Sequence, residues 1–516
     1  MNASGWSNVS KPRFGKVASS RRFDVVVIGG GITGLTAAHH LAIAGKSVCV
    51  LERDRIGSGD TGMTTAHLTA VTDVRPVDLV KAFGVDRARL VWQGGMAAVN
   101  SIEETARELQ IDCQFRRVPG FLHASLNGKK DETKRLRAEV DAAAEIGADA
   151  RFVERTPLVD LPGVRFPNQA KFHPLEYLAG LARSIPTKNC EIFERSEVTE
   201  VESDPLAVRV GKFKIDCDYV IVATHVPIVG KTPLVSATLL QTKLYSYSSY
   251  VVRAHVPKGT LSEMSLWDTS DPYYYLRVDR GARRDEVIFG GEDHKTGQET
   301  SAAEHYAALE SQLQKILPGA KVDRRWSGQV VETNDGLPFI GESADRQFVT
   351  TGYSGNGMTF GTLAGRMACD AALGRKNPWQ ELFRVDRKKF RGGTLDYLKE
   401  NVDFAYYFVR DRLHPHTQST RAVARGEGKV LKLNGQSVAC SRDEAGKLQT
   451  VSAVCTHMGC LVHWNNAERT WDCPCHGSRF GPDGKVIAGP AETPLAPIKK
   501  KAAADKGKKP VRAAAK

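Results

Sequence analysis

The stretch Phe23–Asp54, FDVVVIGGGITGLTAAHHLAIAGKSVCVLERD, leaves the chain little choice of fold. A short β-branched run, a cluster of glycines, a helical stretch, a glycine stop at Gly45 and a second β-branched run make one βαβ unit. Gly29, Gly31 and Gly34 have the spacing G-x-G-x-x-G, which serves a tight turn, close approach of backbone to a pyrophosphate, and close packing of helix on strand. Thr33 and Gly34 fall in the first turn of that helix, whose free N–H groups and partial positive charge face the phosphates. Glu52 ends the second strand where a carboxylate accepts hydrogen bonds from a ribose hydroxyl, and Arg53 after it is a further candidate for holding the dinucleotide. A dinucleotide site is therefore expected, and NAD and FAD both use this fingerprint.

The formal charge of +13 suggests nucleic acid until its distribution is read. Residues 1–22 carry +5 and residues 499–516 carry +7, which leaves the body between them near neutral. The tail KKKAAADKGKKPVRAAAK has Val511 as its one large apolar residue, too little to repay chain entropy, so it is expected to be a disordered basic tail. Residues 1–22 read as a disordered basic head. SRRF at Ser20–Phe23 imitates an export signal, but the apolar run after it belongs to the βαβ core. No apolar run approaches the roughly 20 residues of a membrane span. A cytoplasmic protein with no transmembrane segment and no specific nucleic-acid partner is expected.

Beyond Glu52, RIGSGDTGMTTAHLT contributes Thr64, Thr65, Ala66 and His67; RSEVTEVES contains Val198; DYVIVATH ends in Ala223, Thr224 and His225. WSGQVVETNDGLPFIG then leads into FVTTGYSGNGMTFGTLAGRMACDAAL, with Gly352, Gly355, Asn356, Gly357, Met358 and Thr359. In this order the segments resemble the FAD-dependent oxidoreductases related to D-amino-acid oxidase and glycine oxidase, over roughly residues 23–375. The resemblance implies FAD as cofactor. It puts the Thr64–His67 loop beneath the flavin, Val198 at the adenine, Ala223 and Thr224 against the dinucleotide, and the Gly352–Thr359 segment at the flavin ring. A helix start at that ring edge would stabilise the charge of reduced flavin.

One departure bears on substrate. Where amino-acid oxidases of this group carry an arginine after W-x-G-x, this chain has Val330, which cannot make the bidentate carboxylate pair that arginine makes. Arg277 is a candidate replacement, with Tyr275 and its neighbours Tyr273 and Tyr274 as pocket residues and His294 at a strand end as a further catalytic candidate. A paired surface arginine, ordinary core tyrosines and a turn-capping histidine are the alternatives.

At the other end, CTHMGC and CPCHGSRF supply Cys455-x-His457 and, after fifteen residues, Cys473-x-x-His476. Two thiolates and two imidazoles suit either a Rieske [2Fe-2S] centre or a zinc site. Each loop here gives one Cys and one His, whereas zinc fingers commonly separate a Cys pair from a His pair. Residues 420–498 resemble the Rieske proteins of cytochrome bc complexes, which implies a disulfide between Cys460 and Cys475, a covering proline loop at GPAETPL and a cluster-bonding hydroxyl at Ser478. Phe480 stands where high-potential members have tyrosine, so one hydrogen bond to the reduced cluster is missing and the potential should sit below the top of the range. The six other cysteines lie singly and read as core thiols.

The expected architecture is an α/β FAD-binding Rossmann-like domain with an α+β substrate domain on an antiparallel sheet, plus a small all-β Rieske domain. The oxidoreductase is expected over 23–390, with FAD-binding segments near 23–80, 190–230 and 325–375 and substrate segments near 81–189 and 231–324. A linker helix is expected at 391–419. Flavin takes two electrons at once and a Rieske cluster carries one, so the tethered pair converts two-electron to one-electron chemistry. The expected activity is dehydrogenation of a C–N bond in an amine or amino-acid-like substrate, with electrons passing through the cluster to an external acceptor. An oxygen-using oxidase with a structural cluster, and a redox sensor, are the alternatives.

Overall fold

The computed structural model describes residues 3–128, 130–185, 188–227, 240–241, 243–299, 301–387, 406–413 and 419–498. Strand β1 (Arg21–Ile28) lies at the centre of the first sheet, between β2 (Val48–Leu51) and the strand Phe213–Val222, and pairs parallel with both. Cys190–Phe193 extends the sheet beyond β2, and Gln347–Thr351 and Phe339–Ala344 extend it on the other side. β2 reads VCVL and is buried throughout, as continuous apolar strands are when both faces of a parallel sheet are covered. Helix α1 (Ile32–Ile43) packs against the helix Gly357–Ala372 through glycines. A Cβ on Gly361 would lie 2.9 Å from Ile32, and one on Gly365 2.7 Å from the Thr33 carbonyl.

The second sheet runs in the order Lys321–Thr333, Leu244–Pro257, Arg284–Lys295, Tyr275–Asp279, Ser265–Asp268, Arg116–His123, Gly163–Lys171 and His67–Leu68, with Arg151–Val153 added at Gly163–Lys171. It is antiparallel, as expected for the substrate domain, except where Ser265–Asp268 runs parallel to Arg116–His123. The C-terminal domain is all-β, with sheets of three and four short antiparallel strands around Trp471, Phe480 and Leu495.

The head is not disordered within the described residues. Trp6 is buried, its indole Nε1 donates to the Thr64 carbonyl (2.6 Å), and the backbone N–H groups of Phe14 and Val17 donate to Glu194 and Ser196. Composition missed this because one tryptophan inserted into a core outweighs the polar residues around it. Of the expected linker, residues 406–413 are helical and the rest of 391–419 lies outside the described residues apart from Ser419; the basic tail 499–516 lies outside them too. No described helix is long and apolar enough to cross a membrane.

Candidate functional site

Gly29 leaves β1 at φ +113°, a conformation in which a Cβ would run into the Ala223 carbonyl on the neighbouring strand. Gly34 lies against the Gly29 carbonyl in the same way, so the glycines serve the turn and the helix–strand approach read from sequence. Glu52 receives the backbone N–H of Gly30 on Oε2 and that of Asp54 on Oε1, both at 2.8 Å. Burial raises its pKa, and these two donors oppose the rise.

From this crest a cavity of about 1280 Å³ runs past Thr64, Thr65 and His67 to Gly355, Asn356, Gly357 and Met358. Gly29, Gly31, Thr33, Glu52, Arg53, Val198, Ala223 and Thr224 line its first part. Its size exceeds the few hundred to about 1,000 Å³ of a drug-sized site, leaving room for a dinucleotide and a small substrate. Four expected residues stand behind the wall. Gly34 packs α1, Gly352 turns the chain at φ +74°, Thr359 bonds the Thr69 carbonyl (3.0 Å), and Ala66, at φ +57°, offers its carbonyl to Arg277. Burial pushes His67 down to about 4, so its ring is neutral between Thr65 Oγ1 (3.0 Å) and the Leu276 carbonyl (3.3 Å).

Of the three catalytic candidates, only Tyr275 faces the cavity, its hydroxyl 2.7 Å from that of Ser249. Arg277 does not replace the missing carboxylate reader. It is buried, paired with Asp279 (2.8 Å), and donates to the carbonyls of Thr65 and Ala66, which fixes the flavin loop instead. The spacing Arg-Val-Asp on one strand predicts this pairing, since residues i and i+2 share a face. His294 is turned to the opposite face by the same alternation and stacks on His305 at 4.7 Å and Tyr250 at 5.5 Å. Its neighbour Asp293 occupies the cavity wall, and so does Asp73; sequence reading passed over both. Asp73 accepts from Tyr273 OH (2.9 Å) and Gly355 N–H (2.7 Å).

In the C-terminal domain, Cys455 and Cys473 are buried with free thiols, and Cys460 is joined to Cys475. Cys473 also lies within 4.8 Å of that pair, whose sulfurs are already bonded to each other. His457 and His476 meet edge to face at 4.9 Å, with the Nδ1 of each buried. His457 Nδ1 has no hydrogen-bond partner in the protein, as a metal-ligating nitrogen requires. Burial holds both rings near 4, which keeps them in the neutral, ligating form. The Cys473 thiol, the amides of His457 and Met458 and the Ser478 hydroxyl draw Cys455 down to about 7 against the opposing effect of burial. These four side chains fit a two-Cys, two-His cluster. Ser478 also accepts from Ala491 N–H (2.9 Å), and Thr456 donates to Thr493, so the proline loop is anchored over the site.

The two sites face one another. His457 Nε2 lies 3.2 Å from Gln241 Oε1, and Gln329, on a strand lining the cavity, donates to the Gly477 carbonyl at 2.7 Å. A Cβ on Gly297 would come 2.6 Å from the carbonyl carbon of Cys473, so the strand end of the second sheet lies directly on the cluster loop. Arg53, expected to help hold the dinucleotide, donates to the Ile487 carbonyl (2.9 Å) as well as pairing with Asp54.

Comparison with known proteins agrees with this geometry. The family described as FAD dependent oxidoreductase matches residues 24–371, and the Rieske [2Fe-2S] domain matches residues 416–499. The chain is 32% identical over 499 residues to YhfW of Bacillus subtilis, named as a Rieske 2Fe-2S iron-sulfur protein, covering 94% of this chain and 95% of that one. It is 30% identical to the gamma-glutamylputrescine oxidoreductase of Escherichia coli, over 76% of this chain and 93% of the relative. The fold is similar to that of a glycine oxidase from Geobacillus kaustophilus, with a TM-score of 0.60 and 19% identity, covering 71% of this chain and 99% of that one. FAD and a Rieske [2Fe-2S] cluster are the two cofactors.

Proposed function

Because the chain belongs to the FAD dependent oxidoreductase family and carries a Rieske [2Fe-2S] domain behind it, we propose that it dehydrogenates a C–N bond of an amine or amino-acid-like substrate and delivers the electrons one at a time, through the cluster, to an external acceptor. When bound, FAD supplies two-electron oxidation and the cluster one-electron transfer. The observation that carries the reading is the direct seating of the cluster loops on the sheet that walls the flavin cavity, through Gln329 and Gly297, with Gln241, outside that sheet, 3.2 Å from His457.

The chain's own residues orient the chemistry. Arg277 and Trp6 clamp the Thr64–Ala66 loop from behind, and the helix starting at Gly357 presents its N-terminus toward the cavity. Tyr273, Tyr275 and Trp267 shape the substrate end. The C–N class finds support in the relatives, one named for a γ-glutamylated amine and another for glycine.

The test is anaerobic. Candidate amines and amino acids are mixed with the purified protein, flavin bleaching is followed by absorbance, and the reduced cluster by its EPR signal. Bleaching followed by the cluster signal within one turnover is expected. A cluster that stays oxidised while flavin turns over with oxygen would remove the relay.

A further inference from the structure

We propose that Asp73 and Asp293 form a receptor for a cationic amine group with no carboxylate beside it, so that the substrate class is an alkyl amine or diamine and not an α-amino acid. This deepens the C–N dehydrogenase reading and rests on it.

The cavity carries the argument. Asp73 is fixed at the flavin end by Tyr273 and by the Gly355 amide, while Asp293 lines the same wall with its Oδ1 buried and without a hydrogen-bond partner. A carboxylate oxygen shielded from water and given no donor is costly, and an occupant that brings N–H groups and positive charge removes that cost. Tyr273 and Tyr275, with ring centroids 5.7 Å apart, add aromatic faces suited to an ammonium group.

Neither position expected to read a carboxylate does so: Arg277 is held by Asp279, and Val330 is neutral. Arg75 reaches the same cavity with its Nη1 buried and without a hydrogen-bond partner, so an anionic group has a place there, but a carboxylate on the amine-bearing carbon would share the amine's site and meet the two acids. Burial, and then the charge of Asp73, push Asp293 up to about 7 against a hydrogen bond from Ser249, so that Asp293 can accept the proton an ammonium must lose. In the reaction the bound ammonium gives one proton to Asp293, the C–H bond next to nitrogen breaks with its two electrons and proton passing to FAD, and the neutral amine becomes an iminium ion.

The test uses the flavin-loaded full chain and two probes of one shape. tert-Butylamine has no hydrogen on the carbon beside nitrogen and cannot be oxidised; pivalate puts a carboxylate in place of the amine. Saturable perturbation of the flavin spectrum by tert-butylammonium is expected, with Kd roughly tenfold or more weaker in Asp293→Asn, the loss of a charge-assisted hydrogen bond. Asp73→Asn, a second isosteric variant, should show the same direction, and an unchanged flavin spectrum before titration confirms that each is folded. Pivalate binding as tightly as the amine, or a Kd unmoved in both variants, overturns the proposal.

Flavin bleaching by 1,4-diaminobutane but not by glycine is also expected. Bleaching by glycine alone would overturn the amine assignment while leaving C–N dehydrogenation in place. If no amine or amino acid bleaches the flavin, the C–N reading fails, and the two probes still decide the charge of the occupant.

Discussion

The contact that best isolates the seating of the cluster domain involves neither a residue lining the flavin cavity nor one of the cluster-ligand loops. Tyr306, on the helix Ala302–Ile316, donates its hydroxyl to Glu468 of the C-terminal domain at 2.6 Å, and both residues are buried. Tyr306→Phe keeps the ring, and with it the edge-on packing against Tyr250 at 4.9 Å, and deletes one hydrogen bond to a carboxylate. Such a bond contributes about 1.5–3 kcal/mol. Since Glu468 keeps its other interactions, the lower half of that range applies, so the docking equilibrium should fall by roughly 10- to 40-fold. Native-state hydrogen exchange reads this directly, because amides exposed by domain opening exchange in proportion to the open population. Amides along the Gly297–Cys473 contact should exchange faster by that factor, while those in the β1–β2 core stay unchanged.

The electrons follow from the same equilibrium. A single variant still leaves most molecules closed, but adding Gln298→Ala, which removes a 3.2 Å bond to the Pro474 carbonyl, multiplies the open fraction. In that double variant, bleaching of the flavin by substrate should persist, whereas appearance of the reduced-cluster signal should become slow or biphasic. Cluster reduction at the parent rate, in a sample whose exchange shows most molecules open, would refute the argument that seating carries the relay.

Trp6→Ala should lower stability by about 3–5 kcal/mol, the usual cost of emptying a large aromatic site, and should weaken FAD retention because Thr64 loses its indole donor. Thermal unfolding and ultrafiltration of released flavin measure the two effects. Arg277→Met leaves Asp279 with Lys171 as its cation and should cost about 3–5 kcal/mol at neutral pH. Burial alone would raise the Asp279 pKa, but Arg277 and Lys171 hold it below the ordinary carboxylate value. Its contribution is therefore complete above about pH 4 and is lost as pH falls through the depressed value, so the gap in melting temperature between parent and variant should narrow in acid. Cys460→Ser opens a link spanning a sequence separation of 15, worth up to about 3 kcal/mol in the cluster-free chain. With the cluster bound, the two loops are already joined through its ligands, so the loss should be smaller; cluster bleaching on heating tests the difference.

The parts of the molecule legible from sequence are those whose chemistry sits on contiguous residues. The Gly29–Gly34 turn needs its glycines at fixed spacing because backbone meets backbone there, and each cluster loop carries its Cys and His within four positions. The substrate end is assembled differently. Asp73, Ser249, Tyr275 and Asp293 come from four separated stretches, and for the last three strand register decides which face each side chain takes. The register shift between Ser248 and Tyr250 adds an irregularity that alternation counted along the sequence does not reveal. His294 was thus a reasonable candidate one residue away from the acid that faces the cavity. Trp6 was hidden for another reason: its partner, the Thr64 carbonyl, is a backbone atom and leaves no trace in composition.

The proline loop joins the two cofactors more closely than docking alone requires. Ile487 receives Arg53, at the end of β2, and a Cβ on Gly489 would stand 3.5 Å from Val226, beyond the strand Phe213–Val222, so residues 487–489 bridge the two strands flanking β1. Residues Val486–Pro494 line the same cavity as Gly29–Gly31. A dinucleotide there lies against both domains, and an interaction that FAD makes only in the closed state must stabilise closure by the same factor by which closure tightens FAD. One cavity wall therefore ties flavin retention to the cluster's seat, and a molecule that has lost its flavin should also be one whose cluster domain opens more readily.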